Sequence, residues 1–460
     1  MNNKPFLFLF CFGLLLSAVS CKKYLEVGPP RSNLTGKTVF SSDNTAIAAM
    51  LSIYTQMEQS GMAYNVTIYA GTASDELNNH STSATATAIA NNNITPENSN
   101  ISSLWSSLYN YIYQANSVLE GTASSQGLSD AVRRQLQGEA YFVRAFCHFY
   151  LLNFFGNIPY NTVTDYTVTS VQQQQNASQL LPEIINDLKL SKSLLSAAYV
   201  KADNTPGTER VRPNKYAATA MLAKAYLFSK QWGLAEAEAD SVLQQSIYAL
   251  NMDLQQVFRS NSPEVIWQLR PVIPGFNSYA GALLQPTSFR PFFISVRKNL
   301  VDSFETGDNR KNSWVTFTTY NSQQYSWLHK YKVGQNAPSL TEFTTLIRLA
   351  ELYLIRAEAR AMQDKFASSL ADLNIIRGRA GLASLTLVTK EDILNAIIRE
   401  KRVELFGEFA DRWLDLVRTN RANTVMPLIK GANWSSTDQL FPIPQTEILR
   451  HPGMVQNAGY

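Results

Sequence analysis

The chain has 460 residues, 45% of them apolar and 17% charged, with a formal net charge of +4. That length allows one large domain or two ordinary ones, and the apolar fraction supports a packed core. No long Lys/Arg block is present, which argues against a nucleic-acid partner, and no apolar run after the first twenty residues approaches a membrane span.

In chain order, Met1–Lys4 is weakly basic, Phe6–Leu16 (FLFLFCFGLLL) is apolar, and Ser17–Ser20 brings small residues to Cys21. This is the layout of a secretory signal peptide over 1–20. A cysteine directly after the small residues resembles a bacterial lipoprotein signal, with Cys21 as the acylated residue; Ala18 stands where such signals usually carry Leu. Cys11 would leave with the signal. Cys147, among aromatic residues, has no disulfide partner left and is expected to be a buried apolar side chain.

Asp43–Gln59, Leu104–Leu119, Leu128–Phe155 and Leu180–Leu195 carry helical spacing, and the third is aromatic up to its stop at Gly156-Asn157-Ile158-Pro159. Residues 78–100 are rich in Asn, Ser and Thr and read as a surface loop. Residues 214–245 carry small and aromatic residues where a tetratricopeptide-like hairpin needs them, and 348–376 align with them at an offset of 134, Trp232 matching Phe366. Between these copies, residues 250–345 lose helical period and are punctuated by proline. Val265–Leu269 reads as a strand, and 313–331 as an aromatic β-prone segment. The predicted fold is mainly α: a tetratricopeptide-like hairpin scaffold over about 40–245 and 346–420, with long irregular insertions and minor β. Residues 21–460 are expected to form a single domain.

Catalytic spacing is scarce. The four histidines are far apart in sequence, and no HExxH, CxxC, GxSxG or phosphate-cradling glycine loop occurs. Neither a metal nor a cofactor is expected. The charged run 399–418 places Glu400, Glu404 and Glu408 at i,i+4 spacing; it reads as a salt-bridged helix face in preference to a carboxylate pair for hydrolysis. Asp75-Glu76 is a second acidic pair, and a turn or cap is its commoner role. Saccharide binding needs only exposed aromatic rings for stacking and Asn, Gln, Asp or Arg for the hydroxyls. Trp314, Tyr320 and Trp327 in one insertion, and Asp75, Asn78 and Asn79 near the other, are the candidate binding residues, although the same aromatics also suit core packing.

The chain resembles the SusD/RagB family of surface lipoproteins of Bacteroidota. The resemblance runs through Cys21–Val27 (CKKYLEV), Ala73–Glu76 (ASDE), Arg144–Phe146, Phe155–Pro159 (FGNIP), Arg348–Ala359 (RLAELYLIRAEA), Leu373–Leu382 (LNIIRGRAGL), Arg399–Phe406 (REKRVELF), Arg412–Arg418 (RWLDLVR), Phe441–Ile448 (FPIPQTEI) and Gln456–Tyr460 (QNAGY). It departs at Ala410-Asp411, where relatives often read Gly-His, and in the loop 78–100, which has no aromatic residue. The resemblance implies a helical lipoprotein on the outer face of the outer membrane. It would bind an oligosaccharide, or in some relatives a peptide, and pass it without catalysis to a TonB-dependent transporter of the SusC type. A surface glycoside hydrolase is the alternative from another class.

Overall fold

A computed structural model describes residues 36–285 and 293–460. The signal segment, Cys21 and the block Cys21–Val27 lie outside the described residues. The scaffold helices are α1 (Asp43–Gln59), α2 (Met62–Ala73), α3 (Ser99–Ser124), α4 (Asp130–Phe155), α5 (Ala177–Leu194), α6 (Lys215–Phe228), α7 (Trp232–Leu243), α8 (Leu349–Met362), α9 (Phe366–Arg379) and α10 (Lys390–Glu404). Their starts follow local chemistry. Asn98 caps α3 and Asn214 caps α6 by accepting backbone N–H groups, and Asn176 with Gln179 forms a capping box on α5. α4 stops at Gly156, whose φ of 70° suits glycine.

The helices pack in sequence, α3 on α4, α4 on α5, α5 on α6 and α6 on α7; α7 then packs on α8 across the whole insertion, and α8 on α9. The two hairpins are structural repeats at the offset visible in the sequence. α6 and α8 are both 14 residues long, and their turns pivot on Lys230 (φ 59°) and Asp364 (φ 60°) at matching positions. Small residues line the contact: Ala217, Ala220, Ala223 and Ala225 in α6, and Ala350, Ala357 and Ala361 in α8, are buried.

The core is built on the aromatic stripe of α4. Phe142, Phe146, Phe149, Phe154 and Phe155 are fully buried, each contributing about 1.5–3 kcal/mol by leaving water. Cys147 lies among them, buried and with a free thiol. Trp267 of strand β2 (Val265–Leu269) meets Phe142 and Phe146 edge-on, with centroids 4.9 and 5.2 Å away. β2 pairs antiparallel with Thr344–Arg348, which runs straight into α8, so the insertion starts and returns on one buried two-stranded ribbon.

The loop 78–100 is not wholly irregular. Leu77–Asn79 forms strand β1, paired antiparallel with β3 (Ile294–Val296), and Ala84–Ala90 is a short helix. Residues 313–331 contain a hairpin, β4 (Val315–Tyr320) and β5 (Gln323–Leu328). Its two-residue turn, Asn321-Ser322, has positive φ at both positions, the primed geometry that matches strand twist. Ala410 holds a left-handed φ of 67° at the start of the helix Asp411–Arg418. That backbone favours glycine, so alanine holds it here at a steric cost. No helix among the described residues is long and apolar enough to cross a membrane.

Candidate functional site

The β1–β3 pairing joins two segments more than 200 residues apart and opens a cavity of about 610 Å³ beside the β4–β5 hairpin. Asn78 and His80 come from β1 and its end, Ser295 and Val296 from β3, and Phe317 and Tyr325 from the hairpin. Lys298, Asp302 and Lys311 stand at the same cavity, Lys298 bonded to Asp302 at 2.6 Å.

The polar wall is a small connected network. Ser295 Oγ lies 2.7 Å from His80 Nε2 and accepts a hydrogen bond from Asn78 Nδ2 at 3.3 Å. The His80 backbone N–H donates to Phe293 O at 2.7 Å, which holds the residue in place. Burial pushes the His80 pKa below its ordinary value, so a neutral ring faces the cavity with one donor and one acceptor nitrogen. The apolar wall is aromatic. Phe317 is 42% exposed, and half-buried Tyr325 stacks on Trp327 with centroids 5.9 Å apart and meets His80 edge-on.

The predicted site residues divide sharply. Asn78 lines this cavity. Tyr320 is 53% exposed at the hairpin tip and is not among the lining residues. Asn79 is engaged locally, donating to Ser81 O and Thr87 Oγ1 and accepting from the Ser81 N–H. Asp75, Trp314 and Trp327 are corrections. Asp75 is buried and held in a fork by Arg412 at 2.9 Å, with Arg402 at 2.8 Å. Burial alone would raise its pKa, but those guanidinium groups hold it below the usual range. Its neighbour Glu76 is pushed up to about 8 by burial and by the Asp75 charge. Neither acid lines the cavity. Trp314 is fully buried, its indole N–H donating to Leu254 O at 2.9 Å, so its ring cannot stack on a ligand. Trp327 is 2% exposed, donates to Thr318 Oγ1 and serves as the base beneath Tyr325.

His80, Ser295, Phe317 and Tyr325 replace them at the cavity. Tyr325 and Trp327 alternate on one face of the hairpin, opposite Thr318 and Thr316, and Trp327 is the one that the fold covers. The Asn321-Ser322 turn was the sequence signal that could have set this register.

Most of the charged run 399–418 is ion-paired across elements and shielded from water, with Arg418 and Asp415 pairing inside their own helix. Glu400 and Glu404 are buried on α10; Arg310 pairs with both, and Arg348 and Arg379 pair with Glu404 and Glu264. No group of three His, Cys, Asp or Glu among the described residues is arranged to hold a metal ion.

Comparison with known proteins places this architecture. Residues 23–227 match a family described as starch-binding and associating with the outer membrane, and residues 295–460 match the SusD family. A SusD-like protein of Formosa agariphila is 23% identical over 99% of this chain and 98% of its own. A SusD-like protein of Bacteroides ovatus is 23% identical over 88% of this chain and 80% of its own. Among solved structures, a SusD superfamily protein of Bacteroides vulgatus superposes with a TM-score of 0.79 at 19% identity, covering 92% of this chain and all of that one. A laminarin-binding SusD-like protein superposes at 0.78 with 24% identity, covering 91% of this chain and all of that one. With two SusD-type family models covering residues 23–227 and 295–460 between them, SusD-like relatives along nearly its whole length and the SusD superfamily fold, the chain belongs to the SusD/RagB family.

Proposed function

We propose that the protein is a non-catalytic glycan-binding lipoprotein of the cell surface. It captures an oligosaccharide in the cavity between β1, β3 and the β4–β5 hairpin and passes it to a SusC-type transporter in the outer membrane. One observation carries the reading: exposed aromatic surface on Phe317 and Tyr325 shares a 610 Å³ cavity with the neutral donors and acceptors of Asn78, His80 and Ser295. A sugar ring offers an apolar face edged by hydroxyls, and this wall pairing matches it. Laminarin binding by a relative of the same fold supports a glycan over a peptide. Tyr320 at the hairpin tip would extend the stacking surface for a longer chain.

Binding without hydrolysis is supported by the scarcity of acids at the cavity. Glycoside hydrolysis ordinarily uses two facing carboxylates. Asp302 is the single carboxylate among the described lining residues, and Lys298 engages it.

Tyr325→Ala and Phe317→Ala are each expected to weaken glycan binding by roughly tenfold or more, on the order of 1–2 kcal/mol. Purified variants on a carbohydrate array, followed by calorimetry on the best ligand, measure this. Wild-type affinity in both variants would move the site elsewhere. Release of sugar products at enzymatic rates would replace the binder with a hydrolase.

Anchoring is tested separately. Cys21→Ala is expected to shift the protein from the membrane to the soluble fraction, because the acyl chains supply the attachment. Retention of the variant in the membrane pellet would overturn the lipoprotein assignment.

A further inference from the structure

The charges at the β1–β3 cavity do not balance. Two lysines and one aspartate stand among its described lining residues, Lys298, Lys311 and Asp302, and the other lining side chains are neutral. His80 adds no charge at pH 7, because burial holds its pKa below the ordinary value. Lys298 and Asp302 cancel, pairing at 2.6 Å on the open side of the cavity. Lys311 carries the excess.

Lys311 is half-buried, and its ammonium has no ion-pair or hydrogen-bond partner among the described residues. Its backbone is fixed on both sides. The Lys311 N–H donates to Asp308 O at 3.2 Å, and the Val315 N–H donates back to Lys311 O where the hairpin begins. The carboxylates nearest in sequence are engaged elsewhere: Asp308 forks the Arg310 guanidinium at 2.8 and 2.9 Å, and Glu305 pairs with Arg377 at 2.6 Å. Other lysines of the insertion bond inward. Lys330 Nζ donates to Glu404 O and Glu408, and Lys332 Nζ donates to Ser313 O and His329 O, both at 2.8 Å. Lys311 differs from them in facing the cavity with its charge uncompensated.

An ammonium offers three donors and a full charge. A sugar hydroxyl satisfies the donors alone. An anionic oxygen also takes up the charge, in a bond that is shorter and roughly twice as strong. The cavity already supplies rings for a sugar face at Phe317 and Tyr325, and hydroxyl partners at Asn78 and Ser295. Its volume of about 610 Å³ lies inside the usual range for ligand pockets, about 300–1,000 Å³, so a ring and a charged substituent fit together.

We infer that the cavity selects an acidic saccharide, one whose ring bears a carboxylate or a sulfate ester, with Lys311 as the residue that holds the anionic group. This rests on the reading of the cavity as the saccharide site and narrows it to a substrate class.

The test is a carbohydrate array probed with detergent-solubilised full-length protein, followed by calorimetry. Oligogalacturonate and oligomannuronate are each placed beside their carboxyl-reduced forms, and κ-carrageenan and fucoidan oligosaccharides beside their desulfated forms. At least one acidic glycan is expected to bind roughly tenfold or more tighter than its neutralised counterpart. Whether a carboxylate or a sulfate pair shows this names the group. Lys311→Gln should remove most of that ratio and Lys311→Arg should keep it. Lys230→Gln, at an exposed lysine of the α6–α7 turn, should keep it as well. Lys311→Gln breaks no ion pair, so the fold survives it. The inference falls if the neutral forms bind as tightly as the acidic ones, if Lys311→Gln keeps the full ratio, or if short polyglutamate binds as tightly as the acidic glycans. Neutral glycans bound in a manner lost in Tyr325→Ala would overturn the acidic selectivity and leave the glycan reading standing. Binding to no glycan of either kind would overturn both.

Discussion

Replacing Glu404 with alanine is expected to destabilise the protein by about 3–5 kcal/mol, the usual cost of breaking a buried ion pair from one side. Glu404 is fully buried. Its Oε1 accepts from Arg348 Nη1 at 2.6 Å and from Arg379, and its Oε2 accepts from Arg310 Nη1 at 2.9 Å. Alanine leaves three guanidinium groups in the interior short of one carboxylate. Glu404→Gln keeps the shape and one acceptor oxygen, so it should cost less than alanine. Burial alone would raise the Glu404 pKa, but Arg379, Arg348 and Arg310 hold it well below 4.5. A carboxylate depressed in the folded state stabilises above its unfolded pKa and loses that contribution as the pH falls through the folded one. The gap between wild type and Glu404→Ala is therefore widest at neutral pH and narrows well below pH 4.5. Urea unfolding at both pH values measures it. Equal midpoints at neutral pH would show that the network does not hold the fold.

Trp314→Ala is expected to cost about 3–5 kcal/mol in stability while leaving the affinity of the folded protein for glycan unchanged. The ring packs edge-on against Phe258 at 5.8 Å and lies near Phe406. Lys330 Nζ sits 4.7 Å from its centroid, with Arg348 and Arg379 within 6 Å. Trp314 thus caps the same charge network that Glu404 anchors, and the two substitutions should be non-additive. Trp314→Phe keeps most of the apolar area but orphans Leu254 O, for about 1–3 kcal/mol. Thermal unfolding together with calorimetry on the bound glycan separates the effects. A loss of affinity in folded Trp314→Ala equal to that in Tyr325→Ala would return Trp314 to the binding surface.

The scaffold was legible because it rests on local period. The spacing of Ala223, Ala225, Ala357 and Ala359, the matched Trp232 and Phe366, and the stop at Gly156-Asn157-Ile158-Pro159 all act within one or two turns of chain. The helices formed where that pattern lies. The charged helix was only half legible. Its i,i+4 spacing implied pairs along its own surface, but Glu400 and Glu404 bond to Arg310, Arg348 and Arg379 on other elements, and Arg412 bonds to Asp75. Spacing within a helix does not reveal which face the rest of the chain will cover.

For the binding surface, residue type and location divide the same way. The helical class, the repeated hairpins, the family and the insertions rich in aromatic and amide side chains are all readable from local pattern. Which of those side chains meet depends on pairings between distant segments. The β1–β3 pairing sets Asn78 and His80 against Ser295, and the turn at Asn321-Ser322 puts Tyr325 and Trp327 on one face of the hairpin, where packing covers Trp327 and leaves Tyr325 half-buried. Trp314 and Phe317 are three residues apart, yet one is sealed beneath the insertion and the other is open to water. Ring exposure depends on long-range packing. An aromatic residue gains from burial wherever a neighbour can cover it, and a local pattern does not say where that neighbour arrives.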